Sequence, residues 1–123
     1  MYSPEVLAAL TSPRHAGTLD HPAAVARRDN PACGDVMQFA LTIAAGRLAA
    51  VRFLVQGCVP AIACGEALAA LAEGKTPAEA RALTRTDLLR ALGGLPAPSR
   101  HAAALALETL AAALAQLPPD SAR

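Results

Sequence analysis

A chain of 123 residues suffices for one compact core and falls short of two ordinary domains, so one site or one surface carries the function. Hydrophobic residues make up 54% of it, aromatics only 2%, and 32 residues are alanine, a composition that points to close-packed helices. Eleven basic against ten acidic residues leave a net charge of +1, too little to grip a phosphate backbone, and no apolar run reaches the roughly 18 residues of a membrane span, so neither nucleic acid nor membrane is expected as a partner.

The start, Met1-Tyr2-Ser3-Pro4-Glu5, lacks the basic region of a secretory signal, which makes the cytoplasm the expected location. Ser3 and Pro4 open a short amphipathic helix carrying Val6, Leu7 and Leu10, stopped by Pro13. Residues 15–22 are a connection, and no role is assigned to His15 or His21. A strand is expected over residues 24–28. Residues 36–43 and 48–55 then form a hairpin around Ala45-Gly46-Arg47, with apolar residues alternating at 39, 41, 43 and 51, 53, 55.

After Gly57 the period changes. Pro60 suits a first helical turn, and Ala61, Cys64, Leu68 and Leu71 share one face before Gly74 ends the helix. Thr76-Pro77-Ala78-Glu79 is a capping box, and Thr84 with Asp87 opens a second short helix ending at Gly93-Gly94. The longest helix is expected over residues 98–117, with a seam of Leu107, Leu110, Leu114 and Leu117 before Pro118-Pro119. The expected fold is one α+β domain over residues 1–117: a small three-stranded antiparallel sheet with helices packed on one face. Residues 118–123 read as a loose, disordered tail.

Three cysteines, an odd number, fit a disulfide framework poorly and leave metal, chemistry or core packing as their uses. Cys33 lies in the turn-forming Asn30-Pro31-Ala32-Cys33-Gly34-Asp35, where a cysteine has little core to fill. Cys58 lies in Gln56-Gly57-Cys58-Val59-Pro60, between a strand and a helix whose unpaired amides favour a thiolate. An antiparallel return from residue 36 to residue 55 makes Cys33 and Cys58 neighbours, with Asp35 in the same loop as a hard ligand or counter-charge. His101, at the start of the long helix, could close the site from the other side. Two thiolates, a carboxylate and an imidazole suit Zn²⁺ or mixed ligation of a [2Fe-2S] cluster. Cys64 shares the apolar helix face and reads first as a core residue.

Taken together, Met1-Tyr2-Ser3, Asn30-Pro31-Ala32-Cys33-Gly34-Asp35-Val36-Met37, Gly57-Cys58, Ala61-Ile62-Ala63, Gly74-Lys75-Thr76, Ala91-Leu92-Gly93-Gly94-Leu95-Pro96 and His101 closely resemble the U-type iron-sulfur cluster assembly scaffolds, the IscU and NifU amino-terminal-like family. The resemblance implies a scaffold that combines iron with sulfur from a cysteine desulfurase into a labile [2Fe-2S] cluster and passes it to apoproteins. It is not an enzyme in that role. Carried over by position, Cys33 and Cys58 match ligand cysteines, Asp35 the aspartate that keeps the cluster exchangeable, and His101 the histidine before a third cysteine. Here Ala102 follows His101 and offers neither ligand nor sulfur acceptor. Cys64, in Ala63-Cys64-Gly65 one turn into the helix, is the candidate substitute for a third thiolate. Leu95-Pro96-Ala97-Pro98-Ser99 also departs from the family's chaperone-read Leu-Pro-Pro-Val-Lys segment. Two other readings stand beside the scaffold: a zinc-binding sulfur acceptor working with a desulfurase, and a degenerate paralogue kept as an interaction module. A homodimer through leucines of the last helix is a further option, against their use in the core.

Overall fold

The computed structural model describes residues 2–30 and 34–117. Helix α1 spans Pro4–Thr11, and the Ser3 side chain accepts from the Val6 amide at its start. The strands β1 (Ala24–Asn30), β2 (Asp35–Ala44) and β3 (Arg47–Gln56) form one antiparallel sheet in the order β1-β2-β3. Helices α2 (Val59–Ala72), α3 (Pro77–Arg81) and α4 (Arg85–Ala91), a 3₁₀ turn (Ala97–Ser99) and α5 (His101–Leu114) complete the chain. Helices α2 and α5 lie against the sheet, α2 mainly on β3 and α5 on β1 and β2. The expected α+β arrangement is therefore the observed one; the expectation for residues 118–123 concerns a segment outside the described residues.

The β2–β3 turn is tighter than the sequence implies. Ala45 and Gly46 alone connect the strands, with φ of 53° and 76°, so Arg47 already belongs to β3. Positive φ at both central residues matches the right-handed twist of the flanking strands, which is why two-residue hairpins adopt it. The inward ladder comprises Ala24 and Ala26, then Met37, Phe39 and Leu41, then Val51 and Phe53, all buried. Phe39 and Phe53 face each other at 6.5 Å between ring centroids.

Helix α2 is buried almost all round rather than along one face: Pro60, Ala61, Ala63, Cys64, Gly65, Glu66, Leu68, Ala69 and Ala72 are all enclosed. It packs against β3, α5 and α1 at once, so short side chains are needed on every side. A Cβ on Gly65 would come within 2.5 Å of the Phe53 ring, so this glycine permits the helix-to-sheet approach. Helix α5 starts later than expected, because Pro96 and Pro98 shape the preceding segment into a turn closed by Ser99 N–H to Pro96 O and Arg100 N–H to Ala97 O. Its buried face is supplied by Ala102, Ala103, Leu105, Ala106, Ala113 and the leucines 110 and 114, while Leu107 is half-buried.

Both outer strands have backbone groups covered. On β3, Phe53 N–H donates to His15 O and Gly17 N–H to Phe53 O, each at 2.9 Å; Leu48 exchanges 2.8 Å bonds with Gly74 and Lys75. The Val51 amide donates to Glu73 Oε2 at 2.9 Å. On β1, the Gln116 side-chain amide accepts from Val25 N–H at 3.0 Å and donates to Val25 O at 2.6 Å. The segment beside β3 is pinned by His15, whose amide donates to Glu66 Oε1 at 2.7 Å and whose ring nitrogens lie 2.6 Å from Glu66 Oε2 and 3.3 Å from Glu73 Oε1. His15, given no role from the sequence, is thus a structural pin.

Ala45 pays for its left-handed backbone with a Cβ clash that glycine lacks. Ala45→Gly is expected to stabilise the fold by about 0.5 to 1 kcal/mol, read as a raised denaturant midpoint at constant m-value. At Glu73, burial raises the carboxyl pKa, but hydrogen bonds from Val51 and Arg52 with the charges of His15 and Arg52 outweigh it and hold the group below its usual range. A depressed folded-state pKa contributes stability above 4.5 that is lost as pH falls through the folded value. Glu73→Gln should therefore lie below the parent in stability at pH 7, with the gap narrowing in acid denaturation profiles below pH 4.5.

Candidate metal centre

Strand register brings the candidate site together. Asn30 pairs with Asp35 across β1 and β2, and Val36 pairs with Gln56 across β2 and β3, so Asp35 meets the chain where it leaves β3 for α2. Gly34, with φ of 75°, closes the β1–β2 turn by donating to Asn30 O at 2.7 Å. Cys33 falls outside the described residues, between these two bonded positions in sequence.

Asp35 is 2% exposed. Its Oδ1 accepts the Cys58 amide at 3.0 Å, and its Oδ2 lies 3.2 Å from Cys58 Sγ. Cys58 is the residue at which α2 begins, followed by Pro60 in the first turn, so the carboxylate satisfies an amide at the positive end of a helix. The third side chain comes from the first residue of α5. His101 Nε2 stands 3.7 Å from Asp35 Oδ2, while Nδ1 lies 3.0 Å from Pro98 O. A carbonyl only accepts, so in the neutral ring Nδ1 carries the proton and Nε2 presents its lone pair toward Asp35.

One ligand atom from each of Asp35, Cys58 and His101 lies within 4.8 Å of the others, close enough to share one metal ion. A soft sulfur, an imidazole nitrogen and a hard oxygen form a mixed set suited to zinc or iron, in which the oxygen is the weakest partner for a thiophilic metal. The thiolate expectation for Cys58 needs correction. Burial raises the thiol pKa, and the Asp35 hydrogen bond and negative charge raise it further, outweighing the Ala61 amide that lowers it. Burial first, and then the neighbouring carboxylate, were the missing considerations. Cys64 is not one of the three residues brought together: it is fully buried in the hydrophobic core, where burial and, after it, the nearby Cys58 push its thiol up to about 12. Ala102, beside His101, is also fully buried.

Two supports were not assigned from the sequence. The Pro98 carbonyl sets the His101 tautomer, and Gly57 leaves room for the Asp35 side chain, whose Oδ1 a Cβ at that position would approach to 2.2 Å. Gly57 next to Cys58 was read as an element boundary and as part of the family motif, not as the space for Asp35.

A three-stranded sheet with helices on one face, holding a carboxylate, a thiol and an imidazole where strand and helix ends meet, defines a small α+β domain with a candidate metal centre. The chain belongs to the NifU-like N terminal domain family, whose profile matches residues 1–122. It is 43% identical over 111 residues to the bifunctional protein NifU/MnmA of Rubrobacter xylanophilus, covering 89% of this chain and 23% of that protein. To the iron-sulfur cluster assembly scaffold protein IscU 1 of Archaeoglobus fulgidus it is 35% identical over 114 residues, covering 93% of this chain and 74% of the relative. The chain therefore spans under a quarter of the first relative's length and about three quarters of the second's. Among solved structures, a candidate cluster-assembly scaffold for the SUF system from Fervidobacterium islandicum superposes with a TM-score of 0.77, covering 92% of this chain and 96% of that one. At 18% identity this is a likeness of fold.

The tautomer is directly measurable. Long-range ¹H–¹⁵N correlation on the neutral protein should show His101 protonated at Nδ1, and an Nε2-protonated ring would contradict the Pro98 contact.

Proposed function

We propose that this chain is a scaffold for iron-sulfur cluster assembly, with a labile [2Fe-2S] cluster as its cargo. The observation that carries the reading is the convergence of one ligand atom each from Asp35, Cys58 and His101 within 4.8 Å. Membership of a family whose relatives include IscU scaffolds supports it. In this reading Cys33, Asp35, Cys58 and His101 hold the cargo, sulfur arrives from a cysteine desulfurase, and apoproteins receive the finished cluster. Transfer is ligand exchange: an acceptor thiolate displaces the weakest ligand, the Asp35 oxygen, before the sulfur ligands let go. Ala102 supplies no thiolate, and Cys64 is assigned to core packing on the strength of its burial.

The same donor set favours a second occupant. Zn²⁺ takes thiolate, imidazole and carboxylate ligands at about 2.0 to 2.3 Å, and a zinc-loaded chain acting as sulfur acceptor is the alternative the mixed set supports.

Anaerobic reconstitution with ferrous iron, desulfurase and cysteine separates the two. Cluster absorption bands are expected in the parent and in Cys64→Ala, the latter losing about 1 to 2 kcal/mol of stability from the core. Bands that vanish in Cys64→Ala would move Cys64 into the ligand set. Asp35→Ala is expected to slow release to an apo-acceptor several-fold; unchanged release kinetics would remove Asp35 from the exchange step. Tight zinc with no cluster bands would establish the alternative.

A further inference from the structure

We infer that the groove between α3 and α5 seats a second copy of this chain, whose own α5 packs antiparallel across it about a two-fold axis at Ala111. The groove encloses about 480 Å³, and its walls are apolar, with Ala80 and Leu83 on one side and Leu110 and Leu114 on the other. Of the leucines at 107, 110, 114 and 117, the last three belong to the core, and Leu107 alone stays half-buried beside the groove. The exposed residues next to it are Ala104, Glu108, Ala111 and Ala115, spaced three and four apart so that they share one face of the helix. Three of these four are alanine, which lets another helix approach closely.

A closed pair of identical chains must match one patch to itself. About a two-fold axis at Ala111, a residue a given number of positions before it meets the residue the same number after it in the partner. Leu107 then lies over the partner's Ala115, a bulky side chain against a small one, and the contact repeats on the other side of the axis. Glu108 meets the partner's α5 at the level of Leu114. That is where Arg81 stands, its guanidinium donating to Leu114 O at 3.0 Å. Among the described residues neither Arg81 nor Glu108 takes part in an ion pair, so each charge is open to the other across the axis. A helix of 14 residues is about 21 Å long, which gives a contact of the size of a reversible association rather than a permanent one. The dimer does not rest on the metal reading, since its axis lies about 15 Å along α5 from His101.

Sedimentation velocity on the full, metal-free chain from micromolar to millimolar concentration tests this. The parent should pass reversibly from the mass of one chain to twice that mass. Glu108→Arg and Arg81→Glu, each alone, set like charges against each other at both symmetric contacts and should weaken the dimer about tenfold or more. Mixed one to one, the two variants should associate as strongly as the parent, because each then meets its opposite charge. A chain that had merely lost stability would not recover on mixing. Ala111→Arg, exposed and at the axis, should abolish the dimer while leaving the circular dichroism spectrum and melting temperature unchanged. A parent that stays monomeric at millimolar concentration, or a dimer indifferent to Ala111→Arg, overturns the inference. Failure of the mixed variants to associate overturns the Glu108–Arg81 pairing and with it the antiparallel register. Where Arg81→Glu does not fold for want of its bond to Leu114, Arg81→Gln keeps a donor there and takes its place. It and Glu108→Gln should then each weaken the dimer, with the double variant no weaker than either, and additive losses overturn the pairing.

Discussion

A carboxylate with 2% of its surface exposed is the feature around which this molecule is arranged. Enclosing an ionised group costs several kcal/mol unless hydrogen bonds replace its water, and here part of that replacement comes from the Cys58 amide at the start of α2. Asp35 opens β2, Cys58 opens α2 and His101 opens α5, so the burial of one side chain refers three element ends to a common point. The donor set follows from that arrangement. It lies at element ends because backbone amides are available there to satisfy the charge.

The rest of the fold keeps those ends rigid with little side-chain volume. Two phenylalanines, Met37 and a row of leucines fill the space between sheet and helices, and much of the rest is alanine, so backbones approach closely. Helix α2 carries this furthest, with Gly65 against the Phe53 ring and alanines on several sides. A helix packed this closely has few ways to shift, which holds the Cys58 amide in register with Asp35.

Much of this was legible where chemistry is local. The capping boxes of Thr76 with Glu79 and Thr84 with Asp87 form as the spacing implies, and alternation in β2 and β3 identified the inward ladder. Topology alone put the ends of the β2–β3 hairpin together, which anticipated the meeting of Asp35 and Cys58. Features that depend on distant partners were not legible. The start of α5 depended on how Pro96 and Pro98 would share a turn, and the raised thiol pKa of Cys58 on its burial and on a carboxylate 23 residues away. His15 looked like part of a plain connection because its partners, Glu66 and Glu73, lie 51 and 58 residues further along the chain. The all-round burial of α2 was hidden for a related reason: the number of elements stacked on a helix is not written in its own periodicity.

The covered strand edges bear on how such a chain meets other proteins. A three-stranded sheet ordinarily exposes two rows of backbone donors and acceptors, which any extended peptide can extend. Here the chain itself occupies β3 at Leu48, Val51 and Phe53, and on β1 the Gln116 amide takes both backbone groups of Val25 as a neighbouring strand would. Association by strand addition is thereby discouraged at these positions, including stacking of one copy on another. A visitor is left to engage side chains and loop ends, and such contacts release more readily than a shared sheet.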